Sequence, residues 1–366
     1  MNKKTILLVG PLPPPSGGVS IHIQRLSNVL KTDFEVDFVD EAKSVKKEFF
    51  NLRSLRLFRY LKKVRKADLI HIHSGTSFLR IFHIITGRLL GKKIIVTLHY
   101  YPIRKIKIFK FIDEVFYKLA NKIIVVNSNI LQNVSVPLDK CVIRNAFLPP
   151  VMEKEPQLPP NIMEWIRNEK KLRKIIICAN AWRLDMFNNH DLYGLDMCIE
   201  IARRLLEDKL EVSFVFNVAT IDNFSNVYTR YQSLIEGLHL QHNFLLISQD
   251  LSFVRLIQEA DIVLRPTNWD GDSLTVREAL MLGKPTLASD IVERPAGTSL
   301  FKTRDIVDLE IKLKQMLNLV STTDFSKVDG DNNAFADFYI DLTGKILGKN
   351  GTKSDYTAKL YQGTFW

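Results

Sequence analysis

The stretch Asp261–Asp290, DIVLRPTNWDGDSLTVREALMLGKPTLASD, decides how this chain folds. Its first six residues, DIVLRP, have the length and branched apolar content of a buried strand. A loop with Asp270, Gly271, Asp272 and Ser273 follows. Leu274–Leu282 then has helical composition, and PTLAS (Pro285–Ser289) forms a second strand. Strand, helix, strand is the crossover unit that parallel sheets require. Glu278 stands eight residues after Asp270, inside the helix. A helix start presents unbonded N–H groups and a partial positive charge, which suits phosphate. Ionised carboxylates beside it accept hydrogen bonds from hydroxyls. Phosphate joined to a polyol describes a nucleotide sugar.

The same alternation extends outward in both directions. Strands are expected at Lys4–Gly10, Phe34–Asp40, Asp68–His73, Lys93–His99 and Lys122–Asn127. Helices are expected at Val19–Leu30, Ser77–Leu90 and Phe109–Ala120. After a proline-rich stretch, FLPPVMEKEPQLPP (Phe147–Pro160), the pattern restarts with KIIICA, Lys174–Ala179. The expected fold is α/β, with two Rossmann-like doubly wound domains facing a central cleft. The boundaries are 1–150 for a first, acceptor-binding domain, 151–172 for a linker and 173–335 for a nucleotide-sugar-binding domain. A tail, 336–366, is expected to include a helix, which in folds of this class can cross back to the first domain. Ligands of such sheets bind outside the carboxyl ends of the strands.

Charge divides the chain in the same place. Residues 1–150 hold 26 Lys and Arg against 10 Asp and Glu, a net +16, and the rest hold 25 against 30, a net −5. Lys43–Lys66 alone has ten basic residues and one acid, Glu48, interleaved with Phe49, Phe50, Leu57, Phe58 and Tyr60. A basic stretch with aromatics and leucines reads as a membrane-surface element. Lys62, Lys63, Arg104 and Lys105 are its expected contacts with an acceptor or lipid surface. Nucleic acid is not expected, because no recognition motif accompanies the charge. No apolar run has membrane-spanning length, and Ile6–Val9 is too short for a signal-peptide core, so it is read as a first strand. Cys141, Cys178 and Cys198 are expected as buried free thiols in a reducing compartment. No Cys or His pair has metal-ligand spacing, and His71 and His73 are assigned to opposite faces of their strand with structural roles.

The chain resembles the retaining family 4 glycosyltransferases of the GT-B fold, of the bacterial surface-polysaccharide type. Asp270, Gly271, Glu278, Ala279, Gly283, Pro285 and Ser289 stand where that family has its pair of acidic residues and the helix and strand after them. Gly17-Gly18 follows the first strand, His99 closes a strand in TLHYYP, and VVNS (Val125–Ser128) precedes VIRNAF (Val142–Phe147). Three positions depart. Asp270 replaces the usual Glu, Tyr193-Gly194 stands where a Lys-Gly step is usual, and Ala146 follows Asn145.

The resemblance implies that Glu278 holds the nucleotide ribose, while Asp270 and His99 contact the donor sugar. These three form the catalytic group, positioning the donor rather than acting as acid and base. It implies donor binding by Gly17, Gly18, Arg183, Arg265, Gly271, Asp272, Ser273 and Leu274, with Arg294 a further cation nearby. The implied reaction moves a sugar with retention from a UDP- or GDP-sugar to a glycan acceptor, lipid-linked, in cell-surface polysaccharide synthesis. The implied place is the cytoplasm, at the inner face of the membrane. Asp270-x-Asp272 has the spacing of a metal pair, but a two-domain enzyme does not need one, so neither metal nor cofactor is expected. A nucleotide-sugar epimerase or sugar phosphorylase of the same fold is the alternative, and a nonenzymatic membrane-binding protein is another. A Rossmann oxidoreductase is a further rival, and against it GPLPPPSGGVS lacks the G-x-G-x-x-G turn.

Overall fold

The computed structural model describes residues 3–43, 45–100, 107–134, 136–221, 225–271, 273–320 and 333–348. They form two compact units. The first contains β1 (Thr5–Gly10), α1 (Gly18–Leu30), β2 (Glu35–Asp40), α2 (Leu57–Lys66), β3 (Leu69–Ile72), α3 (Ser77–Leu89), β4 (Lys93–Leu98), α4 (Lys107–Tyr117), β5 (Lys122–Val125) and β6 (Cys141–Ile143). All six strands are parallel, in the order β2-β1-β3-β4-β5-β6. Side chains of β1 alternate between two cores. Leu7 and Val9 pack on one face of the sheet, while Ile6 and Leu8 pack on the other. Burial on both faces is why these strands are continuous runs of Ile, Leu and Val.

The second unit begins with α5 (Pro160–Lys171) and β7 (Ile175–Ala181), then a small antiparallel pair, β8 (Met186–Phe187) and β9 (His190–Asp191). It continues through α6 (Leu195–Glu207), β10 (Val212–Val218), α7 (Ser225–Gly237), β11 (Phe244–Ser248), α8 (Phe253–Glu259), β12 (Ile262–Arg265), α9 (Leu274–Met281), β13 (Thr286–Ser289), β14 (Ser299–Phe301) and α10 (Ile306–Val320). Its sheet is again parallel, ordered β11-β10-β7-β12-β13-β14. The chain winds outward from β7 and then reverses to β12. That reversal opens a crevice at the carboxyl ends of β7 and β12, where such sheets bind ligands. In the first unit the same reversal falls between β1 and β3. A last helix, α11 (Asn333–Ile346), belongs to the first unit and packs against α1.

Two expectations need correction. The 151–172 segment is not a plain linker, because α5 fills most of it and buries Ile162 and Ile166 in a core of the second unit. Pro160 is the first helical residue, where the missing N–H costs nothing, so it starts the helix rather than breaking it. Cys178 and Cys198 are buried free thiols, but Cys141 lies only half-buried on β6, at the sheet edge.

Gly194 is a position where only glycine fits. Its φ is +76°, and a Cβ there would lie 2.2 Å from the carbonyl oxygen of Pro266. This close approach seats the start of α6 against the loop after β12. It explains why the glycine of the expected Lys-Gly step is present while the residue before it differs.

Candidate functional site

The crevice of the second unit holds a buried charge cluster. Arg265 ends β12 and directs Nε to Asp270 Oδ2 at 3.1 Å and Nη2 to Oδ1 at 3.3 Å. Arg294, from the loop after β13, donates Nη1 to Asp270 Oδ2 at 2.8 Å. Thr267 Oγ1 at 3.3 Å and the Gly271 N–H at 3.0 Å complete the carboxylate's donors. The three side chains are only 9%, 10% and 2% exposed for Arg265, Asp270 and Arg294. Burial opposes ionisation of Asp270, but the two guanidinium groups hold its carboxyl down at about 2. The cluster therefore keeps a net charge of +1 beneath the loop before α9.

This geometry changes the role expected of Asp270. Its oxygens already accept five hydrogen bonds from protein donors, about the full capacity of a carboxylate. Asp270 is the counter-ion that fixes two arginines, rather than a carboxylate held ready for sugar hydroxyls. Arg265 is braced further by the Asn180 carbonyl at 3.3 Å and by the Tyr193 ring at 5.2 Å. Tyr193, in place of the usual basic residue, thus supplies a stacking surface for the arginine. Sequence reasoning missed this partner and Asn180, whose Oδ1 also accepts from Thr275 Oγ1 at 3.0 Å.

Helix α9 begins directly above the cluster. Ser273 is its N-cap, with the side chain accepting the Val276 N–H. Leu274 and Thr275 form the first turn, and Gly271 is exposed in the preceding loop. Glu278 is buried in the same helix at 4% exposure, unlike an ordinary surface helix glutamate. Arg183 pairs with Asp185 at 2.6 Å and lies over the Trp182 ring. Asp272 lies outside the described residues.

The first unit carries a second concentration of polar groups at its strand ends. His99 follows β4 and is half-buried. Its Nε2 lies 3.0 Å from Nδ1 of His73, which follows β3. His22 from α1 completes the group, with ring centroids 5.2 Å from His73 and 4.9 Å from His99. Burial, together with the neighbouring imidazoles, holds His73 and His99 well below the ordinary histidine range. Burial lowers His22 to about 4. His71 and His73 do not face apart. They are two residues apart, which in extended chain places them on one face, and their ring centroids are 4.2 Å apart. The sequence gives no hint of this cluster, because its members come from separate elements. Gly18 opens α1 and Gly17 precedes it in the β1–α1 loop.

The basic face is partly neutralised within the unit. Lys63 is bound to Asp37 at 2.6 and 2.8 Å, so it is not a free surface cation. Lys62 is exposed on α2, next to Phe58, which is 92% exposed. On α4, Ile108, Phe109, Phe111 and Val115 are exposed as well, as is Leu119 just after it. Arg104 and Lys105 lie outside the described residues. Among the described residues, no helix is long and apolar enough to cross a membrane.

Comparison with known proteins places this geometry in context. No protein-family model matches the chain, and no curated protein matches it. Solved structures do match. A glycosyltransferase from Rickettsia africae ESF-5 superimposes with a TM-score of 0.68 at 18% identity, covering 96% of this chain and 97% of the other. HepE of Anabaena, in complex with UDP and glucose, gives 0.66 at 11% identity over 95% and 97% of the two chains. Sucrose-phosphate synthase from Thermosynechococcus elongatus gives 0.65 at 13% identity over 94% and 100%. These likenesses span both units at low identity, and what they show is the fold: the chain has the α/β GT-B fold, two parallel six-stranded sheets with helices.

Proposed function

We propose that the chain is a glycosyltransferase that takes its donor, a nucleoside diphosphate sugar, in the crevice of the second unit. The observation that carries this reading is the buried Arg265–Asp270–Arg294 cluster beneath the start of α9, with Glu278 buried in that helix. Glycosyl transfer leaves negative charge on the departing diphosphate. A fixed net positive charge and oriented helix N–H groups stabilise that charge without reorganising during the reaction. Glu278 accepts hydrogen bonds from the ribose hydroxyls. The solved structure of HepE holds UDP and glucose, which supports a uridine donor of the glucose type.

The finer reading follows from the same charge logic. Transfer proceeds with retention, and the leaving phosphate takes the acceptor proton on the same face of the sugar, so no side-chain base is required. Arginines serve the phosphate, so the donor side uses no metal. The acceptor is a glycan, lipid-linked, built into a surface polysaccharide. Exposed apolar residues on α2 and α4, among basic ones, suit docking on an anionic membrane surface from the cytoplasmic side.

The test is a screen of UDP, GDP and their sugars by thermal shift, followed by product analysis of the stabilising donor with lipid-linked acceptors. The expected result is stabilisation by one nucleotide class and a product that keeps the anomeric configuration of the donor. An inverted product would remove retention. A product formed without acceptor, or only with inorganic phosphate, would favour the epimerase or phosphorylase reading instead.

A further inference from the structure

We propose that His22, His73 and His99 form a three-imidazole site for a divalent transition-metal ion, zinc by preference, with a fourth position open. The site goes beyond the donor reading above, since it lies wholly in the first unit, and His99 is its one member that the resemblance also implies at the donor sugar. One ring nitrogen from each histidine lies within 4.8 Å of the other two. Three imidazoles from three separate elements, α1 and the ends of β3 and β4, converge where that sheet reverses its winding.

The hydrogen bonds around the rings prepare them as ligands. His22 Nδ1 lies 2.7 Å from the Ala146 carbonyl oxygen. A carbonyl only accepts, so Nδ1 carries the proton and Nε2 presents a lone pair. That Nε2 is buried and has no partner. A ligand histidine tied through its other nitrogen to a backbone carbonyl is the usual support for a metal-binding imidazole. His73 differs, because its partner is another imidazole and either ring can donate. Its Nδ1 meets His99 Nε2, and its own Nε2 is buried with no partner. His22 and His73 are each 1% exposed, so no bulk water satisfies these atoms. A cluster that leaves buried lone pairs unmet is costly, and a shared cation meets them together.

The closing distance is small. Zinc binds imidazole nitrogen at about 2.0–2.1 Å, which sets tetrahedral ligands about 3.4 Å apart. Rotation of the rings closes the present 4.8 Å spread. Uncharged imidazole suits zinc, copper and nickel above calcium or magnesium. No carboxylate belongs to the triad, and the charges of Arg25 and Arg80 bear on it. The ion therefore needs an anion, hydroxide or phosphate, at its fourth position. Half-buried His99 leaves that position an approach from solvent. His71, held by Thr97 Oγ1 at 2.8 Å, stacks behind His73 as a wall rather than a ligand.

The experiment uses the full chain without a histidine tag, stripped with chelator and titrated with Zn2+ and with Co2+. One equivalent of zinc is expected by elemental analysis after gel filtration, with the visible absorption of tetrahedral Co2+. His73→Ala and His99→Ala are each expected to weaken binding at least about tenfold, while exposed His242→Ala leaves it unchanged. Circular dichroism confirms that each variant is folded, and His99→Gln provides a milder change at the half-buried ligand. Folded wild-type protein that takes up no stoichiometric zinc would overturn the proposal. Binding that survives both His73→Ala and His99→Ala would overturn it equally. Because the readout is metal content, it stands or falls separately from nucleotide binding.

Discussion

At the scale of single residues, Asp270 is the one whose meaning the structure altered most. The sequence places it in an acidic position before a helix and no more. The structure shows why aspartate suits this place: the shorter side chain reaches Arg265, Arg294 and Thr267 at once. Removing one member of a buried ion cluster leaves charge uncompensated, at a cost of about 3–5 kcal/mol. Asp270→Asn is therefore expected to lower the chemical-denaturation midpoint by a corresponding amount. A variant as stable as the wild type would mean that the arginines do not depend on it. Gly194→Ala is expected to destabilise by about 3 kcal/mol, because a Cβ at that φ meets the Pro266 carbonyl. Its measure is the Tm relative to wild type.

Asp191 supplies a pH test at the same scale. It accepts the N–H groups of Tyr193 and Gly194 at 2.8 and 2.7 Å, capping the entry to α6. Burial, reinforced by Asp196, pushes its carboxyl up to about 6. An unfolded aspartate titrates near 3.9, so between about pH 4 and 6 the folded state binds the extra proton. This group's contribution to stability therefore falls as pH rises through that window. Asp270 behaves oppositely, its contribution being lost as pH falls from about 4 toward 2. Unfolding midpoints measured from pH 4 to 7 are expected to decline less for Asp191→Asn than for the wild type. Parallel curves would contradict the assignment.

At the scale of elements, the long strands and most helices were legible, while two helices and the short strands β6, β8, β9 and β14 were not. Buried parallel strands are short unbroken runs of Ile, Val and Leu, a signal that KTILLVG and KIIICA both carry. Helix α5 hid behind its prolines, because Pro160 at a first helical position looks like a break when read in sequence. Helix α7 was not anticipated, and its sequence SNVYTRYQSLIEG is largely polar, with only Tyr228 and Ile235 buried. The residues around Asp270 were legible as a block because β12 and α9 are close in sequence. The histidine cluster was illegible because its order in space is set by sheet topology, not by spacing. Helix α11 gives a test here. Its Tyr339 is buried in the first unit's core against His22. A chain ending after Val320 is expected to lose stability in the first unit, read as increased hydrogen exchange in β1 and α1. Unchanged protection there would show that α11 is dispensable.

At the scale of the whole molecule, charge and apolar exposure coincide in the first 150 residues. A net +16 there, with exposed aromatics on α2 and α4, predicts binding to anionic vesicles that weakens as salt rises. Flotation with phosphatidylglycerol vesicles is the measurement, and Phe58→Ser with Phe111→Ser is expected to reduce it severalfold. Binding indifferent to salt and to these changes would remove the membrane role. The central claim is narrower: the second unit holds a nucleoside diphosphate under α9. Calorimetric titration of wild-type protein and Glu278→Gln with UDP and GDP tests it most directly. The account predicts one nucleotide site whose affinity falls on the order of tenfold or more in Glu278→Gln while the protein stays folded. No binding of either nucleotide, or binding undiminished by the substitution, would contradict it.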